Sequence, residues 1–208
     1  AALLTAGAGG YVALNRNGAT GMPDLVGMAE AQSAEVDTSL VTEMTLGNPD
    51  APVEVIEYAS FTCPHCANFH ETVFDQLKEN YIDTGKVRWV VRDLPLAFHA
   101  NARKAGQSVH CANEQGKFWE MRDTLFKNSA KLGEEDLRKY AGDVGLDVSA
   151  FDSCLASDRY LTEIDKDGAE AKRVGITGTP TFVIGKADGD KLSGTVVVGA
   201  QPLNAFKS

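Results

Sequence analysis

The chain has 208 residues, of which 43% are hydrophobic and 24% are charged, values typical of a folded globular protein with one or two domains. Its formal net charge is −9. This sign argues against nucleic acid and anionic lipid as partners, because both are bound through clusters of Lys and Arg. We therefore expect no nucleic-acid partner.

The first 14 residues, AALLTAGAGGYVAL, are uncharged and rich in small apolar side chains. The stretch is too short to span a bilayer, and its glycines make a buried helix unfavourable. It is typical of the end of a signal peptide or of an N-terminal anchor, so we expect an exported protein. The segment is then either cleaved or retained as a membrane tether. Residues 15–40 show no sustained apolar period and are predicted to form a linker.

The folded region is predicted to begin at residue 41. Residues 44–46 (MTL) are predicted to form a short strand, and residues 53–58 (VEVIEY), largely apolar and β-branched, a second one. A helix follows, with apolar spacing that predicts its end near residue 80, and residues 87–92 (VRWVVR) are predicted to form the next strand. The order strand, helix, strand indicates a βαβ unit.

The sequence Cys63-Pro64-His65-Cys66 lies between the second strand and the helix. A disulfide across so small a loop adds little stability, so the pair is predicted to be redox-active rather than structural. Thr62 is the predicted N-cap, with Pro64 in the first turn. Unpaired N–H groups and the helix dipole there stabilise the Cys63 thiolate, and His65 adds a donor and, when protonated, a charge. A stabilised thiolate makes the disulfide oxidising, with Cys66 as the more buried resolving thiol.

Two other interpretations of the cysteine pair are weaker. A structural zinc site needs four ligands, and the sequence offers no second CxxC or HxxxH pair. A c-type haem needs His directly after the second Cys, where this chain has Ala67. We therefore expect neither a metal nor any other cofactor.

The long stretch between residues 97 and 174 carries helix-compatible patterns. The predicted helices are residues 97–111, 115–128, 134–144, 148–156 and 160–174. Strands return at residues 181–185 and 195–199, and the nine residues KADGDKLSG between them are predicted to form a hairpin turn.

The remaining two cysteines, Cys111 and Cys154, form a second candidate pair. Their disulfide would close a loop of about 44 residues and add about 4 kcal/mol in the chain-entropy model. It requires an oxidising compartment. The alternative is that both are small buried apolar side chains.

The run EYASFTCPHC, together with the remote GTPTFVIG, resembles the DsbA-like branch of the thioredoxin superfamily over roughly residues 44 to 207. CPHC is typical of this branch, Thr179-Pro180 stands where the superfamily places a cis-proline, and the branch inserts a helical domain between them. The resemblance implies an α/β thioredoxin fold with an inserted helical domain. Residues 41–96 and 175–208 then form the thioredoxin-like domain, and residues 97–174 form the insertion.

The resemblance also implies roles for single residues. A cis Pro180 would direct the backbone of Thr179 at the disulfide, ready to pair with an incoming peptide strand. Glu57 matches an acidic residue that assists proton transfer in the family; the alternative is an outward-facing strand residue. His70 stands where some members have Glu, which puts a shared carboxylate pair in doubt.

The predicted function is that of a periplasmic thiol:disulfide oxidase, a monomer that donates its disulfide to unfolded or reduced exported proteins. The resemblance implies reoxidation by a DsbB-like, quinone-linked membrane partner. Phe61, Leu94 and Phe98 are candidates for a peptide groove. His99 and His110 are expected to be ordinary surface or partly packed residues.

Two alternatives stay open. One is a disulfide isomerase or reductase on the same fold, with which Thr179 is compatible, although residues 15–40 are too short for the dimerisation domain that isomerases need. The other is a non-enzymatic thiol metal carrier or holdase for exported proteins.

Overall fold

The computed structural model of the chain describes residues 32–39 and 44–206, and its strands form one six-stranded sheet. The predictions for residues 1–14 and for residues 15–31 of the linker lie outside the described residues. Among the helices described, none is long and apolar enough to cross a membrane.

The sheet has the strand order β1-β6-β5-β3-β4-β2. Its strands are β1 (Ser33–Asp37), β2 (Thr45–Leu46), β3 (Val53–Ala59), β4 (Val87–Asp93), β5 (Thr181–Asp188) and β6 (Lys191–Val198). β3 and β4 are parallel, and all other neighbouring pairs are antiparallel. The parallel pair needs a crossover, which the helix after the CPHC motif provides.

The central strand β3 is buried on both faces, which explains its nearly continuous apolar sequence. Val55 belongs to the larger hydrophobic cluster, which includes the helix after the CPHC motif and the helical insertion. Ile56, the next residue, belongs to the smaller cluster on the other face with Val36 and Ala171. The CPHC motif follows this strand directly, so the strand fixes its position.

The linker prediction for residues 15–40 is wrong at Ser33–Asp37, which forms β1 at the edge of the sheet. The strand pairs with β6, and Ala34 and Val36 point into the smaller cluster while Ser33 and Glu35 are exposed. The strand has only two inward-facing side chains, so its alternation of apolar and polar residues is too short to be recognised in the sequence. Pairing with a distant strand, which is not encoded locally, supplies the stability.

The helix after the motif, α1 (Pro64–Phe69), continues without a break through further turns to Ile82. We call the whole run the active-site helix; its further segments are His70–Phe74, Asp75–Leu77 and Lys78–Ile82. Two of these segments are wider π-helical turns, which are frequent at functional sites. The run ends close to the predicted position near residue 80.

Between β4 and β5 the chain forms a helical insertion, as the resemblance implies. Its helices are α2 (Ala102–Asn113), α3 (Phe118–Lys127), α4 (Glu134–Asp143), α5 (Val148–Ala156) and α6 (Leu161–Arg173). All five predicted helices are present. The largest difference is at α2, which begins at Ala102 rather than at residue 97.

The hairpin between β5 and β6 is tighter than predicted. The strands extend to Asp188 and from Lys191, so the loop contains two residues instead of nine. Gly189, with φ of +58°, adopts the positive φ that such a turn requires. The end of β5 and the start of β6 are largely solvent-exposed, so their residues are polar and do not show the apolar pattern that predicts a strand.

The helical insertion contains a disulfide between Cys111 on α2 and Cys154 on α5, with 5.7 Å between the Cα atoms. Both cysteines are 1% exposed. The bond therefore joins two helices within the core of the insertion.

We predict that the double variant Cys111→Ala/Cys154→Ala has a free energy of unfolding about 2–5 kcal/mol lower than that of the wild type, because the unfolded chain loses a loop constraint of about 44 residues. Urea unfolding of both proteins under oxidising conditions measures the difference. A loss below about 1 kcal/mol would contradict a structural role for the bond.

Candidate active site

Cys63 occupies the N-cap of the active-site helix, with an extended backbone (φ −85°, ψ 118°), and Pro64 is the first helical residue. The N-cap prediction for Thr62 is wrong by one position, because the Thr62 hydroxyl is bonded to His99 Nδ1 at 2.9 Å. The backbone N–H of Cys63 donates to Ser60 O at 3.0 Å. The backbone therefore turns tightly out of β3 and presents Cys63 Sγ to the first turn.

The two thiols differ sharply in their environments. Hydrogen bonds from the Cys66 side chain and from the backbone N–H groups of Cys66 and His65 outweigh burial and lower the pKa of Cys63 to about 5. Burial, the adjacent Cys63 and the Glu57 charge raise the pKa of Cys66. At neutral pH the reduced pair therefore holds one thiolate, on Cys63, and one thiol, on Cys66.

A cis peptide bond joins Thr179 to Pro180 beside this pair. β5 starts directly after Pro180, and its Thr181 pairs with Tyr58 near the end of β3. The strand pairing thus brings the loop before β5 to the loop that carries the cysteines. Cys63 Sγ lies 3.3 Å from Thr179 O, an interaction in which the neutral thiol donates. The Thr179 Oγ1 atom is buried, and within the part of the chain described it has no hydrogen-bond partner.

The two residues between the cysteines, Pro64 and His65, are both exposed. Cys63 and Cys66 are 3% and 0% exposed. The exposed surface at the motif is therefore made by Pro64 and His65, while the sulfur atoms lie beneath it. The backbone N–H of His65 also contributes to the stabilised thiolate.

Glu57 is completely buried beneath the cysteines, so the alternative of an outward-facing strand residue is excluded. One carboxylate oxygen accepts a hydrogen bond from His70 Nε2 at 2.7 Å. The other accepts from Trp89 Nε1 and from Arg122 Nη2, both at 3.1 Å. The contacts come from the active-site helix, from β4 and from α3 of the insertion. We call Glu57, His70, Trp89 and Arg122 the buried charge cluster.

Within this cluster the proton positions follow from the contacts. Burial would raise the pKa of Glu57, but His70, Arg122 and Trp89 together lower it, so Glu57 is ionised. Burial and the Arg122 charge lower the pKa of His70. Arg122 Nη2 lies 3.0 Å from His70 Nε2 and 3.1 Å from Nδ1. Because Nε2 of a neutral His70 donates to Glu57, Nδ1 is the nitrogen that can accept from Arg122. The cluster then has one negative and one positive charge.

Arg122 is the functional residue that the sequence does not reveal. It lies on α3, 65 residues from Glu57, in a helix whose pattern shows only ordinary amphipathic spacing. Its side chain is 0% exposed and packs over Phe74, with 4.5 Å from the guanidinium carbon to the ring centroid. No local motif encodes a contact of this kind, since it depends on how the insertion packs against the active-site helix.

The expectations for His110 and for Phe61 need correction, whereas His99 is half-buried, as expected. His110 is buried and bonded to Asp93 Oδ2 at 2.7 Å, so it is not an ordinary surface or partly packed residue. His99 contacts Thr62, directly before the motif. Phe61 is 3% exposed and packs on Phe126, so it cannot line a surface groove, whereas Phe98 is 79% exposed.

No group of three or more His, Cys, Asp or Glu side chains suited to a metal ion occurs among residues 32–39 and 44–206. The residues around Cys63 and Cys66 are hydrogen-bond donors to sulfur rather than further thiolate or imidazole ligands. The arrangement is suited to thiol–disulfide exchange, which needs one nucleophilic thiolate and a second thiol close enough to form a disulfide with it.

The comparisons with known proteins identify the family and the fold. The thioredoxin family model matches residues 39–194. The crystal structure of Wolbachia pipientis alpha-DsbA1 aligns with a TM-score of 0.69 and 32% identity, over 79% of this chain and 86% of that one. The chain belongs to the DsbA-like thiol:disulfide oxidoreductases of the thioredoxin family. BdbD of Bacillus subtilis, 21% identical with a TM-score of 0.71, shares the fold over 85% of this DsbA-like chain and 94% of its own.

Curated relatives of this DsbA-like chain are longer than it is. A Rickettsia bellii protein, provisionally named a protein-disulfide oxidoreductase, is 32% identical over 74% of this chain and 63% of its own length. The Na⁺/H⁺ antiporter NhaA 3 of Salinispora tropica is 39% identical over 66% of this chain. The chain covers only 21% of that antiporter, so the likeness concerns one part of it.

We predict that the Cys63 thiolate persists well below neutral pH. Its alkylation rate is expected to be constant down to about pH 6 and to fall by half near pH 5, because hydrogen bonds hold its pKa at about 5. Cys66 should resist alkylation throughout this range. The pH dependence of iodoacetamide modification, followed by peptide mass spectrometry, measures both thiols. A midpoint near pH 8.5, the ordinary value of a free thiol, would contradict the assigned environment.

The same shift links stability to pH in the reduced protein. The pKa of Cys63 is lower in the folded chain than in the unfolded one, so ionisation stabilises the folded state. This stabilisation is complete above the unfolded pKa and is lost as the pH falls toward about 5. A Cys63→Ser variant should lack this slope between pH 5 and neutral pH.

We predict that Arg122→Met lowers the free energy of unfolding by about 3–5 kcal/mol, because it leaves the Glu57 carboxylate buried without a cation. The matched control is Arg138→Met, which breaks an ion pair with Asp152 in which the arginine side chain is 65% exposed. This control should cost at most about 1 kcal/mol. Denaturant unfolding of both variants tests the difference, and equal losses would contradict it.

Proposed function

We propose that this protein is a disulfide oxidase that transfers the Cys63–Cys66 disulfide to reduced exported proteins as they fold outside the cytoplasm. The observation that carries the proposal is the difference between the two thiols, with the pKa of Cys63 lowered to about 5 and that of Cys66 raised. Stabilisation of the reduced form makes the disulfide a strong oxidant, because the equilibrium then favours the reduced protein and the oxidised substrate.

The transfer proceeds in two exchanges. A substrate thiolate attacks Cys63 Sγ, the Cys63–Cys66 bond breaks, and its electron pair leaves on Cys66 Sγ. A second substrate thiolate then attacks the substrate sulfur of the mixed disulfide, and Cys63 leaves as a thiolate. The substrate loses two electrons, which the cysteine pair gains. No bound cofactor takes part in these steps.

The position of Thr179 beside Cys63 supports a role for it in holding the substrate. Its carbonyl oxygen lies 3.3 Å from Cys63 Sγ, so an extended peptide paired with this backbone would bring its own cysteine to Cys63. Phe98 is exposed and precedes His99, which is hydrogen-bonded to Thr62 directly before the motif. Its ring therefore offers an apolar contact for a peptide near the active site. We propose that the protein accepts unfolded segments in this way and acts as a monomer.

Location and reoxidation complete the proposal. The Cys111–Cys154 bond and the apolar residues 1–14 favour an oxidising, extracytoplasmic site such as the periplasm. After each transfer the reduced pair must be reoxidised, and we propose a DsbB-like, quinone-linked membrane oxidase as the partner. Two electrons then pass from the cysteine pair to the quinone, which takes up two protons, one released by Cys66 and one from solvent.

The proposal is tested with a reduced peptide that contains two cysteines. We expect stoichiometric oxidation by the wild-type disulfide and no oxidation by Cys63→Ser, which lacks the attacked sulfur. The matched control is Cys111→Ala/Cys154→Ala, which removes the other cysteine pair and should retain the transfer under conditions in which it is folded. Equal activity of Cys63→Ser and the wild type would contradict the mechanism.

The redox potential of the motif separates an oxidase from a reductase. A glutathione titration should give a potential well above that of thioredoxin, which is about −270 mV. A value near that of thioredoxin would overturn the oxidase proposal in favour of a reductase. Faster rearrangement of mispaired disulfides than oxidation of reduced substrate would instead indicate an isomerase, and metal bound to the purified reduced protein would indicate a carrier.

A further inference from the structure

The proposed reaction demands a proton deep inside the protein. When a thiolate attacks Cys63, Cys66 leaves as a thiolate, and its side chain is 0% exposed. Burial raises the pKa of Cys66, so this thiolate must take up a proton at once. Glu57 interacts electrostatically with Cys66, but it too is completely enclosed. A proton therefore needs a route from solvent to Glu57.

A cleft of about 440 Å³ reaches this region between the active-site helix and α3. Exposed charged side chains form its outer part, namely Glu71, Asp75, Asp123 and Lys127. His70 lies at its inner end and is one of the residues that line it. The cleft thus connects solvent to the surface of the buried charge cluster.

His70 spans the boundary between the cleft and the buried carboxylate. Its side chain is 7% exposed, whereas the Glu57 side chain is 0% exposed. Its Nε2 atom lies 2.7 Å from Glu57 Oε1, the shortest contact that Glu57 makes in the part of the chain described. The ring is held in place by stacking on Phe126, with 4.0 Å between centroids. Imidazole can accept a proton on one nitrogen and release one from the other.

We propose that His70 relays protons from the cleft to Glu57 and so supplies the proton that Cys66 takes up when it leaves the disulfide. The inference rests on the proposed thiol–disulfide exchange and adds the route of its proton. His70 acts through Glu57 and does not touch the reacting sulfur atoms. The relay depends on three features of this chain, namely His70, the buried Arg122 and the cleft that His70 lines.

The proton balance of the relay is as follows. A solvent proton binds His70 Nδ1, which gives up its hydrogen bond from Arg122. The Nε2 proton passes to Glu57 Oε1, and Glu57 then donates a proton to Cys66 Sγ. His70 ends neutral, Glu57 ends ionised, and one proton has moved from solvent to sulfur. After the transfer the ring proton of His70 is on Nδ1. Exchange of this proton with solvent returns His70 to the tautomer that is protonated on Nε2, which resets the relay.

Charges from every packed element act on His70. Arg122 and Asp123 face it from α3, and Glu57 faces it from β3. The Arg122 guanidinium disfavours a lasting imidazolium, while Glu57 and Asp123 favour it. The neutral imidazole is therefore the resting form, and the two carboxylates stabilise the imidazolium that forms during transfer.

The test measures how fast glutathione reduces the oxidised protein, because this reaction also expels Cys66 and does not require oxidase activity. We expect His70→Ala to be at least 10-fold slower than the wild type near neutral pH, with a changed pH profile, because general acid catalysis commonly contributes about 10²-fold or more. Added imidazole should restore the rate in proportion to its concentration by entering the vacated site. His70→Gln keeps the volume and a hydrogen bond to Glu57, so it should fold but remain slow.

The matched control is His110→Gln, which removes a buried histidine bonded to a carboxylate at the same distance of 2.7 Å. It should keep the wild-type rate and pH profile. A wild-type rate in His70→Gln, an equal loss in His110→Gln, or no rescue of His70→Ala by imidazole would each overturn the relay. If wild-type protein is reduced by glutathione but never oxidises a peptide, the oxidase proposal fails, while the His70 comparison still decides the relay.

Discussion

The buried ionic contact between Glu57 and Arg122 is the constraint on which the active site depends. Two opposite charges lie 3.1 Å apart with both side chains 0% exposed, one from the central strand and one from the helical insertion. Removal of either charge would leave the other buried without a partner, which lowers the stability of the fold by several kcal/mol. The contact therefore fixes how the insertion packs on the sheet, and with it the position of the active-site helix between them.

This constraint also shapes the chemistry of the cysteines. Burial raises the pKa of Cys66, and the adjacent Cys63 and the ionised Glu57 add to the effect, while donors at the first turn of the helix lower that of Cys63. The two thiols, three positions apart, thus belong to different environments: one faces the helix N-terminus and Thr179, the other faces the core. Their difference in acidity therefore depends on how the fold buries Cys66 as well as on the backbone of the motif itself.

The sequence predicted those features that local patterns encode. The CPHC motif, the apolar run of β3 and the helical periods of the insertion each depend on neighbouring residues, and the structure contains all of them. The fold class followed from a resemblance, through CPHC and Thr179-Pro180. Arg122, the burial of His110 and strand β1 were missed because each depends on a partner remote in sequence. Asp93, which binds His110, and the strand β6, which pairs with β1, become neighbours only in the folded chain.

The direction of β1 determines where the polypeptide joins the sheet. β1 is antiparallel to β6, and Gln32 O accepts a hydrogen bond from Val196 N, close to the end of β6 that lies beside Pro180. The chain thus enters the domain from the side on which Cys63 lies, and it then runs away from that side. Whatever precedes β1 is therefore joined to the domain on the side of the sheet that carries the reactive sulfur.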